Sequence, residues 1–353
     1  MQITKAEVTP LEIKLRQPVQ MAGISAIDKI YSIFVRIDTL DGRSAWGCAV
    51  AHPHLTGESP EHALEFCESC AAQVIDLHPT NLEYSLGELS HFTSNSPAAA
   101  CAFDLVFHDL LGLAANLPVY KLLGGYRNKI QTSATINLSD VTGSVELARL
   151  RAAAGFRMLK IKGGLDPEND VQRVKAIQRA LPDHILRLDA DGGYDIQSAL
   201  DVSRALENCL EMLEQPTSPD DLEGLRRITK YSSLPILVDQ SVTGPDSALQ
   251  IAAGKMADGI SVKMVSCGGF RCANQINSIA QAAGISTMVS CIIEPALLIS
   301  AGLHFALSNP NIGYGDLDGH LDLIGDPTVP GFHIDDGWLI VSDLPGLGCT
   351  VDL

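Results

Sequence analysis

Residues 185–193 read ILRLDADGG, a short apolar run that ends in acidic residues and two glycines. Seven similar apolar runs flank it, and the segments between them have the periodicity of amphipathic helices. Corresponding positions in successive runs are about 25 residues apart, the length that one strand and one crossover helix require. The eight runs occupy residues 132–138, 158–161, 185–189, 210–214, 236–239, 260–264, 286–290 and 312–316.

Eight strand–helix units in a row predict the α/β class and a parallel barrel, of the (β/α)8 type or close to it. An open doubly wound sheet is the structural alternative, but no G-x-G-x-x-G motif follows the first strand. The barrel is therefore the predicted fold of residues 126–325.

The segments that flank the barrel have different patterns. Residues 1–125 begin with alternating strands around a tight turn at Asp41-Gly42, and from Ser59 onwards their periodicity is helical. The C-terminal residues 326–353 again have the pattern of strands and turns. We predict an α+β domain over residues 1–125, which the C-terminal segment returns to complete.

The composition limits the classes of protein and partner. The chain has 353 residues and a formal net charge of −17; 46% of its residues are hydrophobic and 19% charged, which favours a globular protein over a disordered or coiled-coil one. An acidic surface repels phosphate groups, so neither nucleic acid nor an anionic membrane surface is an expected partner. The first residues lack the layout of a secretory signal, so we expect a cytoplasmic protein.

The most apolar stretch, residues 282–307, is long enough to span a bilayer. However, Glu294-Pro295 divides it into two shorter pieces. We predict a buried strand followed by a buried helix, and no membrane span.

Three successive apolar runs end in a carboxylate, at Asp189, Glu214 and Asp239. In barrels the reaction centre lies at the carboxyl ends of the strands, and adjacent strands are about 4.8 Å apart, so these side chains should converge. Three unpaired carboxylates would be strongly destabilising without a cation. Oxygen ligands suit Mg²⁺ better than zinc, so we predict a Mg²⁺ site, although a single aspartate would be explained more simply as a helix cap.

Lysines end two other runs. Lys160 and Lys162 alternate around Ile161, so both point to one face of their strand, which in a barrel can be the interior. Two buried ammonium groups disfavour each other's charge, which can lower the pKa of one lysine towards the roughly 7–8 that suits a general base. Lys263 ends a run roughly across the barrel, which would place a base on each face of a bound carbon acid. For an isolated K-x-K motif, two solvated lysines are the alternative.

The last run ends in Asp316-Leu317-Asp318, and alternation places both carboxylates on one face. They could bind an ammonium group of the substrate or cap the end of the strand. His54 lies in a loop after an N-terminal strand, where either substrate contact or solvation would explain it. No Ser/His/Asp or Cys/His set occurs in a suitable context.

Taken together, these strand-end residues resemble those of the enolase superfamily, specifically its muconate-lactonizing-enzyme subgroup. The resemblance covers essentially the whole chain, and within the subgroup it extends to dipeptide epimerases. The superfamily motifs are Lys160-x-Lys162, Asp189, Glu214, Asp239, Lys263 and residues 102–105, 108–110, 122–125 and 267–269. The epimerase features are Ile293-Glu294, Asp316-x-Asp318 and residues 345–348.

This resemblance implies a modified (β/α)7β TIM barrel with an N-terminal α+β capping domain that the C-terminal segment completes. It implies that Mg²⁺ on the three strand-end carboxylates binds the substrate carboxylate. Metal and Lys160 would stabilise the enediolate formed when the α-proton leaves, because the developing dianion must be neutralised electrostatically. Lys162 and Lys263 would be the two acid/base residues.

The resemblance also implies a small-molecule substrate that bears a carboxylate. Asp316 and Asp318 would hold the α-ammonium group of a dipeptide. Further implied substrate contacts are Ile24, His54, Ile293 and Glu294. Barrels of this family commonly associate, so a homo-oligomer is expected.

Three departures from the family pattern bear on the substrate. Gln240 stands where an Asp-Glu-Ser motif has its glutamate, which removes a carboxylate near the lysines. The loop at residues 21–25 has no arginine where some relatives bind a second substrate carboxylate, and Pro295 replaces a small or polar residue. A dipeptide that ends in glutamate is therefore disfavoured, and we expect a less acidic side chain.

The predicted activity is Mg²⁺-dependent epimerisation of dipeptides from L,L to L,D by two-base 1,1-proton transfer. A second possibility is another enolate-forming reaction of the superfamily: cycloisomerisation, N-acylamino acid racemisation, o-succinylbenzoate synthesis or dehydration. A third, from a different class, is a non-catalytic barrel, suggested only by Gln240. Retention of the lysines and of all three carboxylates argues against the third.

Overall fold

The computed structural model describes residues 1–21 and 24–353, and the side chains of residues 24 and 25 also lie outside the description. The strands are β1 (Ile3–Met21), β2 (Ile24–Thr39), β3 (Ser44–Ala51), β4 (Lys129–Gln131), β5 (Ser133–Ile136), β6 (Met158–Lys162), β7 (Ile185–Asp189), β8 (Leu213–Glu214), β9 (Ile236–Val238), β10 (Gly259–Lys263), β11 (Ser286–Ser290), β12 (Ile312–Asp316), β13 (Leu323–Ile324), β14 (Thr328–Val329), β15 (Phe332–Asp335), β16 (Trp338–Val341) and β17 (Thr350–Val351). The helices are α1 (Pro60–Gln73), α2 (Leu82–Thr93), α3 (Pro97–Ala115), α4 (Val119–Leu122), α5 (Val141–Ala153), α6 (Pro167–Ala180), α7 (Ile196–Ala205), α8 (Leu222–Tyr231), α9 (Pro245–Gly254), α10 (Met264–Cys267), α11 (Phe270–Ala283) and α12 (Ala296–Ala306).

The centre of the fold is a parallel sheet whose eight described strands, β5 to β12, follow one another in chain order. Neighbouring strands are in register at the carboxyl end, where Lys162 lies opposite Asp189 and Asp189 opposite Glu214. A parallel bridge between Thr132 and Gly315 brings the first and last strands together, so the sheet is a nearly closed barrel. Helices cross between successive strands from α5 to α12, and within the described chain none follows β12. The predicted (β/α)7β barrel is confirmed.

Four of the barrel helices start at aspartates that follow the strands. Asp140, Asp166, Asp195 and Asp221 precede α5, α6, α7 and α8, and each side chain accepts a hydrogen bond from a backbone N–H of the first turn. Such caps satisfy donors that have no partner within the helix, and each typically contributes about 1 kcal/mol. They fix where the loops at the carboxyl end of the barrel finish.

The N-terminal domain combines an antiparallel sheet with a long buried helix. The sheet has the order β13-β1-β2-β3, and α3 packs against β3. Gly47 of β3 permits this close approach, because a Cβ there would lie 1.9 Å from the carbonyl oxygen of Ala102. By length and composition α3 could cross a membrane, but 72% of its apolar window is buried inside the fold, as in a core helix.

The apolar stretch at residues 282–307 forms the end of α11, strand β11 and helix α12. Glu294 and Pro295 lie in the connection between β11 and α12. Every residue of α12 is buried. The predicted buried strand and buried helix are confirmed.

The C-terminal segment contacts both parts of the molecule. Just before the segment, β13 pairs with β1 of the N-terminal sheet, while β15 and β16 of the segment form a sheet with β4, immediately before the first barrel strand. Further on, the Leu347 N–H donates to Asp109 of α3 at 2.7 Å. The segment therefore completes the N-terminal domain, as predicted, and also adds strands at the amino-terminal end of the barrel. The division of the chain at residues 125 and 326 stays a prediction.

Candidate active site

The charged strand ends form one group at the carboxyl end of the barrel, which we call the ionic cluster. All of its members are buried except one lysine, Lys263, whose side chain is 14% exposed. Parallel strands in register make this convergence unavoidable, because their carboxyl ends lie at the same rim. The members are Lys160 and Lys162 of β6, Asp189 of β7, Glu214 of β8, Asp239 after β9, Lys263 of β10 and Asp316 of β12.

Lys160 lies among three carboxylates of the ionic cluster. Its Nζ is 2.9 Å from Asp189 Oδ2, 3.1 Å from Glu214 Oε1 and 2.8 Å from Asp316 Oδ2. A buried ammonium group requires such compensation, since its desolvation is otherwise costly. Held from three sides, Lys160 presents a fixed positive charge to the interior of the barrel.

Lys162 shares one of these carboxylates and has a second of its own. Its Nζ donates to Asp189 Oδ2 at 2.8 Å and to Asp191 Oδ1 and Oδ2 at 2.9 and 3.0 Å. Asp191 was not among the residues predicted for the site. Both lysines of the K-x-K motif thus face the barrel interior, and the alternative of two solvated lysines is excluded.

Lys263 approaches from the opposite side. It ends β10, four strands from β6 in the barrel, and it forms an ion pair with Asp239. The Asp239 N–H donates to Gln215 Oε1 at 2.9 Å, and Gln215 Nε2 donates to Ser241 Oγ at 2.9 Å. Gln215, which has a φ of +35°, therefore holds the loop that carries Asp239. Its only sequence signal was its place beside Glu214.

The lysine pKa values differ from the expectation. Burial alone would lower the pKa of Lys160, but the surrounding carboxylates outweigh this effect and raise it well above its ordinary value. The same balance raises the pKa of Lys162 and of Lys263. A lysine pKa of about 7–8 is therefore wrong for this arrangement, because acids and not other ammonium groups are the nearest charges. Burial, together with Asp189, raises the pKa of Glu214 to about 8.

The acids of the last strand are held differently from each other. Asp316 binds Lys160 and accepts a hydrogen bond from Ser133 Oγ at 2.6 Å. Asp318 accepts from the Thr135 N–H at 2.6 Å and from Thr135 Oγ1 at 3.2 Å. Burial and the neighbouring Asp316 raise the pKa of Asp318 to about 6. Both acids thus bond to β5 and also line the cavity described below.

The donor set fits a hard divalent cation. Asp189, Glu214 and Asp239 offer oxygen atoms alone, and the buried Glu214 Oε2 has no hydrogen-bond partner, although Lys160 Nζ lies 3.0 Å away. Within the described residues, no three His, Cys, Asp or Glu side chains already surround a single point at ligand distance. The lysine ammonium groups lie between the carboxylates and neutralise them in this arrangement.

A cavity of about 290 Å³ opens above the ionic cluster. Its floor is charged and includes all three lysines, while its walls combine apolar side chains with polar ones such as Asn137 and Gln240. Strand β1 and the loop after β3, both of the N-terminal domain, supply one wall, and loops of the barrel supply the other. The apolar lining consists of Leu15, Val19, Met21, Leu55, Pro219, Ile292 and Ile293.

The structure brings some of the predicted substrate contacts to this cavity and not others. His54 and Ile293 line it. Glu294 does not: its side chain is 1% exposed, burial raises its pKa to about 8, and its Oε2 has no hydrogen-bond partner in the described structure. The buried Cys48 and Cys101 of the N-terminal domain lie near this carboxyl: burial first, and then nearby carboxylates that include Glu294, raise their thiol pKa values. Glu294 is therefore enclosed between the barrel and the N-terminal domain. The side chain of Ile24 lies outside the described residues.

Arg187 is a further buried charge that sequence reasoning missed. It precedes Asp189 by two residues on β7, so alternation would have placed it on the interior face. Its Nε donates to Glu211 Oε2 at 2.7 Å, and its Nη1 donates to the Gly315 carbonyl at 3.2 Å. Arg187 lies opposite Lys160 in register. Burial alone would raise the pKa of Asp316, but Lys160, with a smaller contribution from Arg187, lowers it below its ordinary value.

Known families and relatives share this architecture. Residues 3–124 match the mandelate racemase/muconate lactonizing enzyme N-terminal domain, and residues 144–353 match the enolase C-terminal domain-like family. The chain therefore belongs to the enolase superfamily. A "hydrophobic dipeptide epimerase" of Enterococcus faecalis is 33% identical over 99% of this chain and 100% of its own. An "L-Lys-D/L-Arg epimerase" of Methylococcus capsulatus is also 33% identical, over 99% of both chains.

Solved structures agree with the sequence relatives. A dipeptide epimerase of Enterococcus faecalis V583, complexed with Mg and L-Leu-L-Tyr, has a TM-score of 0.96 and 33% identity over 99% of this chain and 100% of its own. A Methylococcus capsulatus dipeptide epimerase, complexed with Mg and L-Arg-D-Lys, has a TM-score of 0.92 and 32% identity over 99% and 100%. The chain is an isomerase of the racemase and epimerase class that acts on amino acid derivatives.

Proposed function

We propose that the chain is a Mg²⁺-dependent dipeptide epimerase that converts L,L-dipeptides to L,D-dipeptides by two-base 1,1-proton transfer. The observation that carries this proposal is the placement of Lys162 and Lys263 four strands apart, on opposite sides of one cavity. Inversion at an α-carbon requires a proton to leave one face and another to arrive at the opposite face. Two lysines so placed meet that requirement.

The positive charges of the site oppose the negative charge that develops on the substrate. Asp189, Glu214 and Asp239 would hold Mg²⁺, which supplies positive charge to the substrate carboxylate when bound. Lys160 adds a second, fixed positive charge from the barrel interior. An α-carbon beside a carboxylate is very weakly acidic, so this electrostatic stabilisation of the enediolate is the largest part of the expected catalysis.

Lys162 and Lys263 hold and move the proton. Against the effect of burial, Asp189 raises the pKa of Lys162, and Asp239 raises the pKa of Lys263. Both carboxylates would be engaged by Mg²⁺, which would allow one lysine to act as a neutral amine. In one direction that amine accepts the α-proton, and the ammonium group of the other lysine delivers a proton to the opposite face. In the reverse direction the two lysines exchange roles. In this structure Lys162 Nζ pairs with Asp191 and Lys263 Nζ pairs with Asp239.

Asp318 is suited to the α-ammonium group of a dipeptide. Its carboxylate lines the cavity and is oriented by Thr135. Among the described residues no cationic side chain forms an ion pair with it, whereas Asp316 is already bound to Lys160. A substrate ammonium group would supply the missing counter-charge, and the same site offers little to a substrate whose nitrogen is acylated.

The cavity walls favour apolar substrate side chains. Seven apolar residues line the walls, and the three lysines in the lining are all paired with carboxylates. No lining cation of the described structure is thus left to bind an acidic side chain, in agreement with the expected exclusion of a terminal glutamate. We therefore propose a dipeptide with uncharged, largely apolar side chains as the substrate.

A panel of L,L-dipeptides in D₂O with Mg²⁺ tests the proposed function. Deuterium at the α-carbon of the C-terminal residue, with inversion, is followed by NMR and mass spectrometry, and apolar dipeptides are expected to react faster than acidic or cationic ones. N-succinyl and other N-acyl amino acids belong in the same panel, because an N-succinyl-L-Arg/Lys racemase of Bacillus cereus is 28% identical to this chain. Absence of exchange from every dipeptide, with Mg²⁺ bound by calorimetry, would overturn the proposal.

We further propose, from the resemblance to the family, that the enzyme is a cytoplasmic homo-oligomer. Light scattering coupled to size-exclusion chromatography tests the oligomeric state. A monomer at micromolar concentration would contradict this part of the proposal and leave the proposed reaction untouched.

A further inference from the structure

The carboxylate of Asp191 is aimed back at Lys162 by its backbone. Asp191 follows strand β7 with a φ of +45°, in the left-handed region that aspartate tolerates better than most residues. Its N–H donates to Asp189 Oδ1 at 3.0 Å. Its two carboxylate oxygens lie 2.9 and 3.0 Å from Lys162 Nζ, so the contact is bidentate. The turn thus fixes both ends of Asp191.

Gln240 holds Asp191 from the other side. Its Nε2 donates to Asp191 Oδ1 at 3.2 Å, so Gln240, Asp191 and Lys162 form a continuous chain of contacts at the edge of the cavity. All three line the cavity. A glutamate at position 240 would set two carboxylates against each other, whereas the neutral amide donates a hydrogen bond.

The two acids that bind Lys162, Asp189 and Asp191, have different proposed roles. Asp189 belongs to the set proposed to hold Mg²⁺, while Asp191 does not. Asp191 is therefore the carboxylate that stays free to hold Lys162. A lysine side chain has a flexible four-carbon stem and loses considerable entropy when it is fixed in one conformation. Without a carboxylate partner, Lys162 Nζ would sample many positions in the open cavity.

We propose that Asp191 is a positioning residue for Lys162, kept in place by Gln240, and that it supplies the carboxylate that the sequence lacks at position 240. The proposal rests on the proposed function, in which Lys162 serves one face of the substrate. Lys263 pairs with Asp239, itself a proposed Mg²⁺ ligand, and within the described structure it forms no ion pair with Asp191. Loss of Asp191 should therefore impair one face of the α-carbon selectively.

The first test measures α-hydrogen exchange in D₂O separately from the L,L and L,D epimers of one substrate, with Mg²⁺ and at early times. Lys162→Met identifies the epimer that Lys162 deprotonates, because that epimer loses exchange while the other keeps it. Asp191→Asn is expected to slow exchange of the same epimer at least tenfold more than that of the other. Equal slowing of both epimers would overturn the proposal.

Two further variants separate positioning from a general disturbance of the cavity. Asp322→Asn is the matched control: Asp322 also lines the cavity, but it binds Arg151 at 2.6 Å and not a lysine of the ionic cluster. It is expected to affect both epimers alike.

The double variant Asp191→Asn with Gln240→Glu returns a carboxylate from the opposite side of the cavity. It should raise the exchange rate of the affected epimer at least threefold above that of Asp191→Asn alone. Failure of this rescue would remove Gln240 from the proposal.

A second readout does not depend on the substrate. Trace labelling by an amine-reactive anhydride with Mg²⁺, followed by mass spectrometry, compares Lys162 with Lys263 in the same molecules. In Asp191→Asn, release of Lys162 from Asp191 should raise labelling of Lys162 at least threefold and leave labelling of Lys263 unchanged. An unchanged ratio of Lys162 labelling to Lys263 labelling would overturn the proposal. If the wild-type protein exchanges no dipeptide, the proposed function fails, and this labelling ratio alone decides the role of Asp191.

Discussion

Buried carboxylates occur in the N-terminal domain and in the barrel, but their partners differ. In the N-terminal domain, Glu58, Asp104 and Asp109 accept hydrogen bonds from backbone N–H groups, those of Ala98, Phe270 and Leu347. In the ionic cluster, the carboxylates instead bind lysine ammonium groups. A backbone N–H fixes two segments of chain to each other, whereas an ammonium group can exchange a proton and a carboxylate beside it can bind a cation. Lysine partners thus mark the acids of the ionic cluster, while Asp318, which accepts from the Thr135 N–H and is proposed to bind substrate, shows that a backbone partner alone does not make an acid structural.

Among substitutions of these acids and lysines, Lys263→Met should have the largest effect, and that effect is on the rate of epimerisation. Removal of one of two acid/base groups is expected to lower the rate of epimerisation roughly 10²–10⁴-fold, the usual contribution of such a group. One epimer should still exchange its α-hydrogen in D₂O, because Lys162 remains. The surface lysine Lys121, which pairs with Asp343, provides the control Lys121→Met. A variant at position 263 that keeps more than a tenth of the wild-type kcat would contradict the assignment.

Asp109 offers a test of the structural acids through pH. Burial, only partly offset by hydrogen bonds from Leu347 and Trp46, raises the pKa of Asp109 to about 7 from an ordinary 3.8. The folded protein thus binds this proton more tightly than the unfolded chain, so the stability that Asp109 contributes is present below about pH 4 and is lost as the pH rises to 7. Each pKa unit corresponds to about 1.4 kcal/mol, so the loss amounts to roughly 4 kcal/mol.

Urea denaturation of wild type and Asp109→Asn at several pH values measures this loss. The difference in the free energy of unfolding between the two proteins should shift in favour of the variant by that amount between pH 4 and 7. Asp183→Asn, at an exposed aspartate, is the control and should run parallel to wild type. A difference for Asp109→Asn that does not change with pH would show that the buried carboxyl does not titrate in this range.

Removal of Mg²⁺ tests the acids of the barrel. A hundredfold excess of the ion over its dissociation constant should stabilise the folded protein by about 2.7 kcal/mol, provided that the unfolded chain does not bind it. Asp239→Asn should lose most of this effect, while Asp109→Asn should keep it. Urea denaturation with Mg²⁺ and with EDTA measures both. An equal response of the two variants would contradict the proposed metal ligands.

Ser96→Ala should have the smallest effect and should act on the fold alone. Ser96 caps α3, where its Oγ accepts from the Ala99 N–H at 3.3 Å and donates to Glu58. Loss of such a cap typically costs about 1 kcal/mol of stability. The free energy of unfolding should fall by that amount with no change in the stabilisation by Mg²⁺. A change in epimerisation rate at constant folded fraction would show that α3 influences the site.

The alternation of polar and apolar residues predicted most of the ionic cluster. Lys160 and Lys162 share a face because strand side chains alternate, and Asp189 and Glu214 meet because parallel strands end at one rim. The same rule would have found Arg187, two residues before Asp189. Asp191 escaped it because the chain there has left the strand, and a φ of +45° turns the side chain back in a way that no periodicity indicates.

The misplaced residues share a physical cause. Glu294 was expected at the cavity, yet it is buried near Cys48 and Cys101 of the N-terminal domain. The lysine pKa values were expected to fall because neighbouring ammonium groups were considered without the acids that lie closer. In both cases the outcome depends on groups from distant parts of the chain.

The sequence by itself determined the barrel and the chemical identity of the ionic cluster, because strand period and residue type are local properties. The tertiary structure alone decided which acid binds which lysine, how Asp191 and Gln240 reach Lys162, and which apolar walls close the cavity. Those choices depend on distances of a few ångströms between segments far apart in sequence, and electrostatic energies change steeply over such distances.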